Sequence, residues 1–460
     1  MKKSIKETFS SPIVMILMIL LVVTVLTYLI PAGEFDRTVD PVSGITVVDG
    51  ASFHLVEKRY IGVMDFFSGI HLGFMNAADV IFMCFFSSFY IRVITESGAF
   101  SAGISTLLRR FGKNKRLLIP FFILIISLTG FTYGETEDLY PLIPLFVSAA
   151  VMAGFDPVVG VAISGGAVMV GFASSAFNPY TIGVAQKIAE LPLYSGALFR
   201  TLVYAVFVAA YTLYVMRYAR THSGPDCLAG YDDIAAEDIR TTDAPFTLRH
   251  KIVLLGFLVI VGLMIYGALR LEWYFTEISA LFIIGGVFSC IFLRASPKES
   301  VRMAIDGFRD IIMGVIVIGL ARSILVLLSD AQVIDTVVYG LYHAVSALPK
   351  FLAPVGMLLV QTILNFFIPS GSGQASAVMP IMTPLSDLLG MNRQVAVLAF
   401  QMGDGFSNML WPTAACAVIC GIAKVPLQKW YRFLLPFYGA AFLLQCVFIL
   451  IANAIPLGPF

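Results

Sequence analysis

Charge is what this chain has least of. Only 13% of its 460 residues are Asp, Glu, Lys or Arg, 58% are apolar, and the mean hydropathy is +0.88. Soluble domains carry about a quarter charged residues, so a water-soluble globular fold is excluded. The chain reads as an all-α polytopic membrane protein. Its net charge of +1, with no basic tail or basic-aromatic array, excludes nucleic acid as a partner. Cysteine is sparse too: Cys84, Cys227, Cys290, Cys416, Cys420 and Cys446 are scattered, five of them in apolar runs, which rules out a disulfide framework. Cys416 and Cys420 share a helical face without His or carboxylate company, and read as packing residues. The five histidines are equally dispersed, leaving no zinc constellation and no hydrolytic triad. With no paired Asp motif on two spans and no nucleophile beside a histidine, an intramembrane enzyme is the remote reading. No catalytic residue, metal or resident cofactor is expected; Na⁺ or H⁺ as a coupling ion is the one exception the reading allows.

What the chain does have is a series of apolar runs. Residues 13–30 follow Lys2, Lys3 and Lys6 and pass straight into IPAGEFDR without a small-residue cleavage site. They read as a retained span with a cytoplasmic N-terminus, not as a cleaved signal. Residues 31–76 form an acidic outer loop, 80–95 return, and 101–116 read as an interfacial helix. There Arg109, Arg110, Lys113, Lys115 and Arg116 mark the cytoplasmic face. The apolar pieces on either side of TYGETED are too short to cross comfortably, so 117–153 reads as a re-entrant hairpin. Residues 158–188 cross with a break at 174–179, and 196–216 return. The polar stretch 217–251 is a cytoplasmic linker, and 252–269 is a connecting span. Then 278–292 and 311–328 span, with Arg294, Lys298, Arg302 and Arg309 between them on the cytoplasmic side. Residues 331–348 form a second interfacial helix, 351–389 a hairpin from the outer side, 394–425 a second broken helix, and 434–454 the last span.

The two broken helices match. Gly171-Phe172-Ala173-Ser174 stands to Gly405-Phe406-Ser407-Asn408 as IAELPL at 188 stands to IAKVPL at 422, both at an offset of 234 residues (405 minus 171, 422 minus 188). Residues 1–216 and 270–460 are therefore expected to be two repeats, each with a re-entrant hairpin and an interrupted transmembrane helix. They enter from opposite sides and so are inverted, which brings both tips and both breaks together near the midplane. Full crossings in place of both hairpins obey the same charge rule and remain the alternative count.

Four polar segments are then expected to face one site, because unwound backbone at membrane depth is tolerable only where it is buried in protein or lines a wet cavity. From residues 133–138 (YGETED) the candidates are Gly134, Glu135, Thr136 and Glu137; from 174–181 (SSAFNPYT) they are Ser174, Ser175, Asn178 and Thr181. The second repeat offers Ser370, Gly371, Ser372, Gly373 and Gln374 in SGSGQAS, and Asp404, Ser407, Asn408 and Thr413 in DGFSNMLWPT. Half-helix N-termini after Asp138 and after Gln374 point N–H groups at a solute carboxylate, and unwound carbonyls suit a cation. Intramembrane carboxylates such as Glu135, Glu137 and Asp404 normally serve a cation or a proton. Arg322, inside its span, either meets a carboxylate or snorkels to an interface. The glycine-rich SGGAVMVG permits close helix packing and is no nucleotide loop, having no strand or GKS/T motif beside it.

These motifs resemble the DcuC-type anaerobic carrier family of the ion-transporter superfamily, which includes four-carbon dicarboxylate carriers and basic amino acid antiporters. The resemblance is carried by IPAGEFDR, GETEDLYPLIPLFVSAAVMAGFD, SSAFNPYTIGVAQ with ELPLYSG, ARSILVLLSDAQVIDT, and IPSGSGQASAVMPIMTPLSDL with RQVAVLAFQMGDGFSN, which span almost the whole chain. It implies a scaffold domain, a hairpin-bearing transport domain, elevator-type alternating access and a homodimer in the bacterial cytoplasmic (inner) membrane, in contact with lipid. The acidic ETED tip is more similar to the basic amino acid antiporters than to the dicarboxylate carriers. A transporter of amino-acid-like solutes is the leading expectation, and a Na⁺ or H⁺ coupled dicarboxylate carrier is the second.

Overall fold

Helices make up nearly all of the regular structure, as lipid requires: each segment must satisfy its own backbone N–H and C=O groups. The computed structural model describes residues 12–39, 46–132, 134, 136–224, 227–228, 230–231, 234, 246–271, 273–455 and 457. Among these, seven helices are long and apolar enough to cross a membrane.

α1 (Pro12–Leu29) is the first of them. Residues 31–76 are not the plain loop the sequence suggests. β1 (Gly33–Glu34) pairs with β4 (His54–Leu55), β2 (Arg37–Val39) pairs with β3 (Thr46–Val48), and α2 (Val63–Asn76) follows. The all-α expectation is corrected to that extent. The ribbons are anchored from a distance: Arg37 donates from Nη2 to both oxygens of the buried Asp335, at 2.8 and 2.7 Å, and the Phe35 N–H donates to the same carboxylate at 3.1 Å. Asp335→Ala is expected to cost about 1–3 kcal/mol, discounted because Arg37 is partly exposed. A lowered melting temperature of the detergent-purified protein would register it; an unchanged one would mean the clamp contributes nothing.

α3 (Ala78–Glu96) and the amphipathic α4 (Ala99–Phe111) come next. α5 (Leu118–Thr132), a 3₁₀ turn (Glu137–Leu142) and α6 (Ile143–Met152) make the first hairpin. Its two ends, at 114–117 and 153–155, share one surface pocket with Ser223 and Gly224, so the chain comes back beside the point it left. The first broken helix runs α7 (Pro157–Val161), a π turn, α8 (Ala167–Ala173), the break, a second π turn (Pro179–Gly183) and α9 (Val184–Ile188). α10 (Ala197–Thr221) extends past residue 216, and α11 (Leu248–Arg270) begins before 252, so helices take both ends of the expected linker. α12 (Phe275–Leu293) precedes α13 (Pro297–Asp330), a single 34-residue helix that absorbs the basic segment before the 311–328 span. A reciprocal cap starts it, the Ser296 N–H donating to Glu299 and the Glu299 N–H to Ser296 Oγ. α14 (Ile334–Ser346) leads to the second hairpin, α15 (Ala353–Phe367) and α16 (Gly371–Leu389). α17 (Arg393–Ser407), a break and α18 (Ala415–Ile422) form the second broken helix, and α19 (Leu427–Ala454) is the last span.

Two packing groups result. In one, α13 lies along α1, α2 and α3, α3 packs on α12, and α11 bridges α12 and α4. In the other, α5 lies along α8 and α15 along α17, while α8 and α17 cross each other. α9 then rests on α16 of the second hairpin, and α18 rests on the 3₁₀ turn and α6 of the first. Each half of the chain therefore props up the hairpin of the other. α13 meets α18 where the groups join.

Candidate functional site

Each helix break is held open by side chains that replace lost backbone hydrogen bonds. At the first, Ser175 Oγ donates to the Phe131 carbonyl at 2.6 Å, and Asn178 Oδ1 accepts from the Tyr180 and Thr181 N–H groups, capping the second half-helix. Gly134, with φ at +83°, lies so close that a Cβ there would meet the Asn178 side chain at 2.1 Å. At the second, Thr413 Oγ1 donates to the Phe366 carbonyl at 2.8 Å, the same tie from a break to the end of a hairpin arm. Asn365 Nδ2 donates to the Asp404 carbonyl at 3.0 Å and to Ser407 Oγ at 2.7 Å, which secures the end of α17.

The second tip differs from its expected form. SGSGQAS is no loop, because Ser370 caps α16 directly and Gly371, Ser372, Gly373 and Gln374 form its first turn. The half-helix N-terminus therefore lies at Gly371, not after Gln374. In the first hairpin a 3₁₀ turn already begins at Glu137, and the α-helix waits until Ile143. Gly405 and Ser407 likewise belong to the last turn of α17, so the second break is confined to 408–414.

Both tips and both breaks border a single cavity of about 340 Å³. Of the residues singled out from sequence, Gly134, Thr136, Glu137, Thr181, Ser370, Gly371, Ser372, Asn408 and Thr413 line it. Ser174, Ser175, Asn178, Gly373, Gln374 and Ser407 do not. They are structural supports behind it, as when Gln374 Nε2 donates to the Gln361 side chain at 2.7 Å. Glu135 lies outside the described residues. Asp404 also stands behind the wall, fully buried, with neither carboxylate oxygen accepting a hydrogen bond among the described residues. Its Oδ2 comes within 3.2 Å of where a Gly371 Cβ would stand, which puts it against the first turn of α16.

The rest of the wall comes from the other packing group. Asn76 and Asp79 at the α2–α3 junction, Tyr274 and Phe275 at the start of α12, and Arg322 of α13 complete it. Repeat matching could not find them, since they lie outside the hairpins and breaks. Arg322 did carry a signal, as an arginine inside an apolar span. The described charged groups around the cavity are Asp79, Glu137 and Arg322, and Arg322 acts through space on Glu137 without closing an ion pair.

Membrane-length helices around a polar cavity built from helix interruptions define a membrane transporter of small-molecule solutes. Residues 9–454 match the DcuC family, C4-dicarboxylate anaerobic carrier, and the chain belongs to it; it is an integral membrane transporter and not an enzyme. It is 30% identical over 95% of both chains to an Escherichia coli protein named "Putative basic amino acid antiporter YfcC". An uncharacterized protein of Haemophilus influenzae is 26% identical, over 87% of this chain and 80% of that one. Two solved structures are similar at lower identity. The Alcanivorax borkumensis YdaH transporter has 16% identity and a TM-score of 0.44, over 97% of this chain and all of that one. Neisseria gonorrhoeae MtrF, of a class of antimetabolite efflux pumps, has 15% identity and a TM-score of 0.42, over 97% and 95%.

Proposed function

We propose that the chain is a secondary active transporter that exchanges small carboxylate-bearing solutes, basic amino acids first among them, across the bacterial cytoplasmic membrane. The observation that carries this reading is the single cavity shared by both tips and both breaks. Among the described residues its charged lining holds two carboxylates and one guanidinium, a balance that suits a cationic amino acid better than a dianion, and the name of the E. coli relative points the same way.

The reciprocal packing, with α9 on the second hairpin and α18 on the first, supports inverted repeats related by an axis in the membrane plane. The split into two packing groups supports a scaffold and a transport domain that moves against it in elevator fashion, within a dimer. Under the basic-residue rule the N-terminus is cytoplasmic and Asp79 and Tyr274 lie toward the outside. The cavity then opens outward. On the cytoplasmic side Arg92, Asp310 and Lys424 join α3, α13 and the residue just after α18 at 3.3 and 4.0 Å.

Proteoliposomes decide it. Loaded with ornithine, they should accumulate external arginine, and empty ones should not. Because like charges cross, flux should respond little to a membrane potential that would add about 2.3 kcal/mol per 100 mV to net import of one cation. Absence of exchange for arginine, ornithine, small peptides and dicarboxylates alike would sink the substrate class. The unpartnered Asp404 favours a second reading, a dicarboxylate carried with Na⁺ or H⁺, in which succinate flux depends on the ion.

A further inference from the structure

We infer that Arg322 grips the solute's carboxylate, and that the cavity is shaped for a molecule carrying a carboxylate at one end and a cation at the other. This rests on the transport reading above and specifies the chemistry of its solute.

α13 is the most buried of the membrane-length helices, with 72% of its apolar window inside the protein. An arginine in such a position costs at least about 2.5–3.5 kcal/mol, so it persists where it has a partner or a task. Arg92 and Arg302, on the same group of helices, each hold a carboxylate. Arg322 forms no hydrogen bond or ion pair among the described residues. Nor does it escape to lipid, since it is half-buried and lines the cavity together with the first turn of α16.

A second group lines the same cavity. Thr181 is 2% exposed, lines the cavity, and its Oγ1 has no hydrogen-bond partner among the described residues. Its methyl carbon would lie 2.5 Å from a Cβ on Gly371, so the orphan hydroxyl sits beside the start of α16. A guanidinium fork, an idle hydroxyl and the positive end of a helix thus line one cavity, and together they offer what a carboxylate needs. Glu137 and Asp79 line the same cavity and suit a cationic end. A dicarboxylate would meet one guanidinium but two like charges.

The test compares L-arginine with agmatine, which keeps the guanidinium and lacks the carboxylate, by calorimetric titration of the full-length protein in detergent. The wild type should bind arginine roughly 10- to 100-fold more tightly than agmatine, the usual worth of a charge-assisted pair. In R322Q that preference should collapse to about twofold or less while agmatine affinity holds, which also reports that the variant is folded. R322K, with the charge but not the fork, should fall between, and it carries the test if R322Q does not accumulate. A preference left intact in both variants, or absent from the wild type, overturns the proposal. Wild-type protein that binds succinate and not arginine overturns it while leaving transport standing. Protein that binds none of arginine, ornithine, agmatine and succinate removes the proposed solute classes together with this inference.

Discussion

Gly405→Val and Gly171→Val should each leave almost no folded protein in the membrane, whereas Gly340→Ala should accumulate normally. A Cβ at 405 would stand 2.4 Å from the Cα of Ala173, and one at 171 would stand 1.8 Å from the Ser127 carbonyl oxygen. Both obstacles are backbone, so no side chain can swing aside. The crossing of α8 with α17, and that of α8 with α5, must open instead. Overpacking costs typically 1–3 kcal/mol where neighbours can adjust, and here about 3 kcal/mol or more is expected because they cannot. The same two crossings aim both breaks at the cavity, so even surviving protein should bind no solute. Gly340 has nothing within 4 Å of its added carbon and controls for loss of glycine alone. Fluorescence-detected size-exclusion profiles give the answer. A normal monodisperse peak for Gly405→Val would mean that the two broken helices do not cross at Ala173.

These two glycines also show how far the sequence can be read. Gly171 and Gly405 stand at one offset because each closes a tight crossing of its own broken helix, and that constraint is local enough to leave a mark in the letters. Hairpins and breaks could be found for the same reason: prolines, glycines and hydroxyls seldom cluster inside an apolar run except where the helix itself gives way. The form of the second tip could not. Gly371 and Gly373 are poor helix formers, yet the Ser370 cap and burial of Gln374 against Gln361 override propensity and start the helix at once. α2 was hidden for a related reason. It follows a polar stretch, and Gly69 and Gly73 weaken its pattern, although they are its buried face and let Leu327 and Ser323 of α13 approach. Asp79, Tyr274 and Arg322 reach the cavity through packing of distant helices, which no spacing rule records. Asp404 was legible as an intramembrane acid, but not as one set behind the wall.

Asp404→Asn should abolish exchange while leaving the protein as stable as the wild type or more so. The side chain is fully buried, and its two oxygens accept no hydrogen bond among the described residues. An ionised carboxylate in that position is costly unless it holds a proton or a cation. Asn keeps the size, removes the need for either, and leaves intact the bonds that Asn365 and Ser407 donate to the Asp404 main-chain carbonyl. The fold therefore has nothing to lose from the change. Under the ion-coupled reading this carboxyl takes up and releases an ion with each cycle, so the substitution removes its task entirely, and flux should fall by about a hundredfold, equivalent to roughly 3 kcal/mol. Dependence of the residual flux on pH and on Na⁺ should flatten as well. Proteoliposome exchange measured beside a melting curve separates the outcomes, because a stable variant that no longer transports is what a site paid for in stability predicts. Wild-type exchange with wild-type ion dependence in Asp404→Asn would make the residue a passive part of α17, and the ion that drives or accompanies the solute would have to bind at the cavity lining itself.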